Sequence, residues 1–257
     1  MGMNKYVSSF LGGAVINVNQ PQTTREEDKL PALRTISAEW NVPWIKAPDN
    51  ASLRDSDKRH SLAQWIGILG NGCDNVNWYP FIQAGTAVEI DGNGVTTASA
   101  WVEWFPAAAR IIPNENFEVI PGDKISVAVE VYTRILGHVH MRNLRTGQEF
   151  AAEVKADSPD DPRFHICLGP GVAQFFQEWS IEKDRADIPI FNNVTFTDMT
   201  AIDRRGQCHD LTSGAEDYWN MIDADRKVAV AEGISGKSFV VYSPGGKAWI
   251  PRENVQC

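Results

Sequence analysis

Short segments in which apolar and polar residues alternate constrain this chain's fold more than any other feature. Successive side chains of a strand point to opposite faces, so this alternation is typical of half-buried β-strands. Turns such as Pro121-Gly122-Asp123 and Arg145-Thr146-Gly147 separate the segments, as in antiparallel hairpins, and amphipathic helical patterns are almost absent. The predicted strands are 34–42, 63–69, 78–90, 96–105, 123–135, 138–144, 148–155, 175–182, 192–199 and 237–243.

Many strands with few helices predict an all-β fold, an antiparallel β-sandwich or barrel. A chain of 257 residues is within the size of one large sandwich, so a single domain over residues 1–257 is expected. The polar stretches 45–60 and 155–164 are predicted surface loops. Residues 201–222 are predicted to form a less regular insertion.

Charge narrows the range of partners. The chain has 24 basic and 33 acidic residues, a net charge of −9, which disfavours nucleic acid and anionic membrane surfaces. No apolar run approaches the roughly 18 residues of a transmembrane helix. The protein is expected to be a monomer. Residues 1–19 are interpreted as part of the mature domain. A leader upstream would indicate secretion, and its absence would indicate the cytoplasm.

The stretch FFQEWSIEKD at 175–184 places two glutamates on one predicted strand. Alternation puts Phe176, Glu178, Ser180 and Glu182 on the same face. At about 3.3 Å per residue the two carboxylates are about 13 Å apart. They cannot pair with each other, so any partner must come from another strand.

Two further predicted strands carry an amide or a carboxylate on an aromatic face. Gln83 shares its face with Phe81, and Glu103 shares its face with Trp101 and Phe105. A polar group in such surroundings is either hydrogen-bonded filler or part of a concave site. If these strands and the one bearing Glu182 are neighbours, the three polar residues line one groove.

Seven ordered motifs resemble those of the glutamic peptidases, or eqolisins, acid endopeptidases with a concanavalin-like sandwich of two packed, curved antiparallel sheets. Together they cover most of residues 10–200. The motifs are FLGGAV at 10–15, ISAEWNVP at 36–43, QWIGILGNGC at 64–73, FIQAG at 81–85, AWVEWFP at 100–106, NLRTGQ at 143–148 and QEWSIEKD at 177–184.

The resemblance implies a peptide-bond hydrolase without metal or organic cofactor, acting on a peptide or small-molecule substrate in an aromatic-lined groove. Its catalytic glutamine falls on Gln83 and its catalytic glutamate on Glu182. Supporting or substrate-binding positions fall on Trp65, Trp101, Glu103 and Glu178, and Glu178 matches a recurrent glutamate that is not the catalytic one.

One position departs from the motif. Leu69 stands where W-V-G-I-D-G has an aspartate, which suits an intracellular, non-proteolytic enzyme such as a cyclase, isomerase or small-molecule hydrolase reusing the same pair. A glycoside hydrolase is a further alternative, although the i, i+2, i+4 series of acids is broken by Ser180. A lectin-like binding module remains open as well.

Other reactive residues are given structural interpretations. A Cys73 to Cys167 disulfide is left open. His138 and His140 share a strand face and are interpreted as a surface pair, without a third metal ligand. Cys208-His209-Asp210 is interpreted as a loop.

Overall fold

The structure is a computed structural model of the chain. It describes the backbone of residues 4–8, 11–18, 30–47, 59–72, 80–179, 189–212, 215–223 and 226–243. Side chains are described for 12–18, 30–47, 59–70, 80–166, 189–212, 218–221 and 229–243. Over these ranges the chain is almost entirely β-strand. Its helical residues there form one 3-10 turn, Pro162–Phe164.

The described part of the chain contains eighteen strands. They are β1 Asn4–Ser8, β2 Leu11–Val18, β3 Leu33–Asn41, β4 Ile45–Lys46, β5 His60–Gly72, β6 Phe81–Ile90, β7 Thr96–Phe105, β8 Arg110–Ile112, β9 Lys124–Thr133, β10 Leu136–Asn143, β11 Glu149–Lys155, β12 Ile166–Trp179, β13 Ile190–Phe191, β14 Val194–Asp203, β15 Cys208–His209, β16 Ala215–Asp223, β17 Arg226–Ser235 and β18 Ser238–Tyr242.

Two sheets pack against each other, so the predicted all-β sandwich is confirmed. The front sheet has the order β16-β2-β12-β5-β6-β7-β8, and the back sheet has the order β11-β10-β9-β3-β14-β18-β17. Strand β17 joins them, since its first residues, up to Ala229, pair with β16 and the rest, from Val230 to Ser235, pair with β18. The pairing is antiparallel throughout these orders, whereas β1 adds to β16 in parallel.

The core lies between the sheets because each strand turns its apolar side inward. In β7 the alternate residues Ala100, Val102 and Trp104 are at most 2% exposed and belong to the main core. From the back sheet, β9 packs against β5 and β6 and contributes Val127 and Val129, which are fully buried. The opposite side of β7 is therefore the outer face of the front sheet.

A buried polar chain ties the two sheets together. Trp40 in β3 of the back sheet donates its indole N–H to Thr86 Oγ1 in β6, at 2.9 Å. Thr86 donates to Gln64 Oε1 in β5, at 3.2 Å. Because an unpaired polar group is costly in a core, this chain specifies how the back sheet sits behind β5 and β6.

The prediction of an irregular insertion over 201–222 is wrong. Strand β14 runs through Asp203, and β16, from Ala215 to Asp223, pairs with β2 inside the front sheet. The sequence of β16, AEDYWNMID, lacks the clean alternation that identifies a half-buried strand. Strands β2 and β17 also lie outside the predicted set.

Two loop predictions are corrected in detail. Cys208 and His209 form β15, which pairs with β14 opposite Ile202 and Ala201. Within 45–60, Ile45–Lys46 form β4 and His60 begins β5. No helix in the described part of the chain is long and apolar enough to cross a membrane.

Candidate active site

The outer face of the front sheet arranges its residues in rows that cross β5, β6 and β7. Strand register places Gly67, Gln83 and Glu103 side by side in one row. The next row along the strands consists of Trp65, Gly85 and Trp101. On the other side of the Gln83 row lies the row of Leu69, Phe81 and Phe105. A polar row is thus enclosed between two apolar ones.

Gln83 and Glu103 are in direct contact within this polar row. Gln83 is 5% exposed, and its Nε2 donates a hydrogen bond to Glu103 Oε2. The other end of the amide is different, because Gln83 Oε1 is buried without a hydrogen-bond partner among the described residues. A buried acceptor without a partner is costly and rare in folded proteins, which marks Gln83 as a functional candidate.

Aromatic residues surround this pair on the outer face. Trp65 and Trp101 are 3% and 6% exposed and form a second apolar cluster with Val15, separate from the main core. Phe81 and Trp219 are partly buried and pack against the same cluster. The Trp65 and Phe81 rings stack with centroids 6.0 Å apart. These rings lie on the same face as Gln83, and the supporting role that the resemblance implies for Trp65 and Trp101 stays a prediction.

Two glycines allow the rings to sit this close to the polar pair. A Cβ on Gly67 would lie 3.1 Å from Gln83 Cβ and 3.3 Å from Trp65 Cζ3, so the Trp65 ring extends over Gly67 toward Gln83. A Cβ on Gly85 would lie 2.2 Å from the carbonyl oxygen of Gln64 and 2.7 Å from Trp65 Cβ. Any side chain at residue 85 must therefore displace strand β5.

Replacing Gly85 by alanine is expected to lower the free energy of unfolding by about 2 to 3 kcal/mol, because the new methyl group collides with backbone. Gly12→Ala is the matched control, since a Cβ there meets its nearest neighbours at an ordinary 3.6 Å. Urea unfolding measures both. Equal stability of the two variants would show that β5 yields to the methyl group at little cost.

Strand β12 lies beside β5, but its register gives an unexpected order of residues. Glu178 pairs with Ala63, four residues along β5 from Gly67 and therefore about 13 Å from the Gln83 row. The residue opposite Gly67 is Gln174. Strand β12 ends at Trp179, and Glu182 lies outside the described residues. Sequence reasoning did not single out Gln174, because alternation predicts the face of a residue but not the register between two strands.

The remaining predicted features lie away from this face. Leu69 belongs to the apolar row and is partly buried. His140 Nε2 lies 3.6 Å from Glu149 Oε2 on the back sheet, and His138 stacks on Tyr132. Within the described ranges, no group of three or more His, Cys, Asp or Glu side chains is placed to hold a metal ion. Cys73 is outside those ranges, so the question of a Cys73 to Cys167 disulfide stays open.

Known structures share this fold. The chain matches scytalido-glutamic peptidase, solved with a transition state analog inhibitor, with a TM-score of 0.65 and 21% identity, over 91% of this chain and 98% of that one. Aspergilloglutamic peptidase from Aspergillus niger matches with a TM-score of 0.58 and 22% identity, over 72% of this chain and 99% of that one.

Sequence comparison gives the family. Aspergillopepsin-2 of Aspergillus niger is 25% identical over 227 residues, which are 80% of this chain and 71% of that protein. The sequence profile of the peptidase A4 family matches residues 22–243, most of the chain and all of the rows around Gln83. The chain therefore belongs to the peptidase A4 family and is a hydrolase of the glutamic endopeptidase type.

Proposed function

We propose that this chain cleaves peptide bonds with Gln83 and Glu182 as its catalytic pair, with Glu103 as the residue that positions Gln83. The observation that carries the proposal is the state of the Gln83 amide. One N–H is held by Glu103, while Oε1 is buried on an aromatic-lined face with no partner in the described part of the chain. The motif resemblance at residues 81–85 and 177–184 supports the same assignment.

The chemistry requires a base, an acid and an oxyanion donor. Glu182 takes a proton from water as the water oxygen attacks the peptide carbonyl carbon, and later gives that proton to the leaving nitrogen as the C–N bond breaks. Gln83 Oε1 accepts a hydrogen bond from the attacking water. A primary amide has two N–H groups, so the one not held by Glu103 can donate to the oxyanion.

Glu103 has a positioning role in this scheme. The amide of glutamine can rotate to exchange its oxygen and nitrogen, and only a hydrogen-bond partner decides which end faces the substrate. An ionised Glu103 accepts but cannot donate, so it selects the Gln83 nitrogen. The acceptor Oε1 is thereby presented to the water. Glutamine at position 103 would offer both donor and acceptor, and the selection would weaken.

The test is hydrolysis of denatured protein between acid and neutral pH. Gln83→Ala is expected to lower kcat by about 10² to 10³-fold, the effect of removing one oxyanion donor. Glu103→Gln is expected to lower kcat less and to leave KM unchanged. Gln207→Ala, which truncates an exposed glutamine in the turn before β15, serves as the control. Full activity of a folded Gln83→Ala variant would exclude the proposal.

A further inference from the structure

We infer that an apolar ledge beside Gln83, formed by Leu69, Phe81 and Phe105, binds a bulky apolar side chain of the substrate next to the scissile bond. The ledge would make the enzyme selective for a residue such as phenylalanine or leucine at that position. This inference rests on the proposed function, since it assigns a specificity to the same site.

The ledge is one row of the front sheet. Phe81 is the register partner of Leu69 in β5 and of Phe105 in β7. The Phe81 and Phe105 rings are stacked, with centroids 4.8 Å apart and planes 26° from parallel. Phe81 precedes Gln83 by two residues in β6, so the ledge is about 6.6 Å from the Gln83 row, on the same face.

The ledge has apolar surface left to bury. Leu69, Phe81 and Phe105 are each partly exposed, whereas the stacked rings of the core, Phe196 and Phe239, are fully buried. Aromatic surface removed from water by a ligand ring contributes both burial and a preferred stacked geometry. The Phe81 and Phe105 pair therefore favours a substrate side chain with an apolar face of its own.

The outer face on the other side of Gln83 offers less exposed apolar surface than the ledge. Beyond the Gln83 row lie Trp65 and Trp101, and after them a row of Ala63, Ala87 and Ser99. Glu89, two residues further along β6, forms an ion pair with Arg59 at 2.9 Å. The two tryptophans are 3% and 6% exposed, so they have less apolar surface left for a substrate than the partly exposed ledge residues.

An extended peptide matches this spacing. Its side chains on one face recur about every 6.6 Å, the distance from the Gln83 row to the ledge row. When the scissile bond lies at Gln83, a side chain within two residues of it reaches the ledge. Leu69 stands where the resembling motif has an aspartate, so the ledge offers no carboxylate to a basic side chain.

Paired synthetic peptides test the ledge by turnover. Peptides that differ only by phenylalanine against alanine, placed in turn at each of the two positions on either side of the cleaved bond, are compared by kcat/KM. At one of these positions, the kcat/KM of the wild-type enzyme is expected to be at least about tenfold higher for the phenylalanine peptide than for the alanine peptide, a ratio typical of apolar pockets. Phe81→Ala and Leu69→Asp should each reduce that ratio several-fold, and Phe81→Leu should largely restore it.

Tyr132→Ala is the matched control, because it removes a 42% exposed, stacked aromatic ring from the back sheet. It should leave the ratio unchanged. Leu69→Asp replaces a partly exposed residue, so it keeps the test meaningful if Phe81→Ala fails to fold. A wild-type enzyme indifferent to phenylalanine at all positions, or a ratio unaltered in folded Phe81→Ala and Leu69→Asp, would overturn the inference.

A binding measurement separates the ledge from the chemistry. The same peptides with the scissile amide reduced to CH₂–NH cannot be hydrolysed, and their affinity is read by calorimetry. Phenylalanine-dependent binding that is lost in Leu69→Asp supports the ledge even if wild type cleaves no peptide, in which case only the proposed function fails. Cleavage without phenylalanine-dependent binding or turnover leaves the function intact and removes the ledge.

Discussion

Glu182→Gln is expected to lower kcat for peptide hydrolysis by about 10⁴-fold, at the upper end for a general acid–base residue, because one carboxylate is proposed to serve as base and then as acid. Glutamine has nearly the same shape but cannot take up or release a proton. KM and the thermal midpoint should therefore change little. Single-turnover kinetics on a denatured protein substrate, from acid to neutral pH, provide the measurement.

Two neighbouring substitutions make the result specific. Glu178→Gln should retain activity, since Glu178 matches the recurrent glutamate of the resembling motif that is not the catalytic one. Gln174→Ala addresses the residue whose backbone lies opposite Gly67 in that row. If Gln174→Ala abolished turnover while Glu182→Gln remained active, the catalytic pair would have to be reassigned within β12.

Asp123→Ala is expected to destabilise the fold by about 3 kcal/mol, because it removes a buried carboxylate that accepts four hydrogen bonds, one of them from the buried Asn143 side chain. The Asp123 side chain is 1% exposed. It accepts hydrogen bonds from Arg145 Nε and Nη2, from Asn143 Nδ2 at 2.7 Å and from the Ile120 N–H at 3.1 Å. These bonds join the turn before β9 to the turn between β10 and β11.

The same carboxylate makes stability depend on pH. Burial favours the neutral form of Asp123, but hydrogen bonds from Arg145, Ile120 and Asn143 outweigh it, so the pKa of Asp123 lies below its ordinary value. The unfolded chain then binds the proton more readily than the folded one. The contribution is fully present above about pH 4 and is lost as pH falls through the lowered pKa.

Urea unfolding at a series of acid pH values measures this contribution. In Asp123→Asn the loss of stability below about pH 4 should be shallower than in wild type. Some acid dependence should remain because Asp203, buried and hydrogen-bonded to the Gln207 and Arg205 N–H groups and to His209, also has a lowered pKa. Identical slopes in wild type and variant would show that Asp123 is not the group responsible.

Glu118→Ala is the control for this network. Glu118 also contacts Arg145, at 3.3 Å, but its side chain is 52% exposed. Exposed ion pairs contribute at most about 1 kcal/mol, so this variant should remain close to wild type in stability. A large loss in Glu118→Ala would place the stabilising energy on Arg145 rather than on the buried Asp123 carboxylate.

Alternation alone was enough to predict the strands that carry the candidate site. The boundaries predicted for 96–105 are those of β7, and alternation placed Trp101 and Glu103 on one face and Val102 and Trp104 on the other. The structure agrees, since Val102 and Trp104 belong to the main core and Trp101 to the outer cluster. Strands of this kind can be predicted because one face packs in the core between the sheets and the other faces outward.

The order of the strands in each sheet and the register between them could not be predicted from the sequence. Gln83 and Glu103 were each expected on an aromatic-lined face of their strands. Only the pairing of β6 with β7 shows that they are direct neighbours. Strand β16 was hidden because its residues do not alternate cleanly, and its place beside β2 depends on contacts distant in the chain. Long-range pairing is decided by the whole core rather than by local preference.

Local chemistry thus specified the all-β class, the aromatic faces and the residue types of the site, since alternation, turns and motifs are properties of short segments. The packing of the chain decided the rest. It placed Gln83 against Glu103, buried Gln83 Oε1 with no partner among the residues that the structure describes, and aligned Leu69, Phe81 and Phe105 as one ledge. A one-residue change of register would break each of these, and register is fixed only when both sheets bury their apolar faces together.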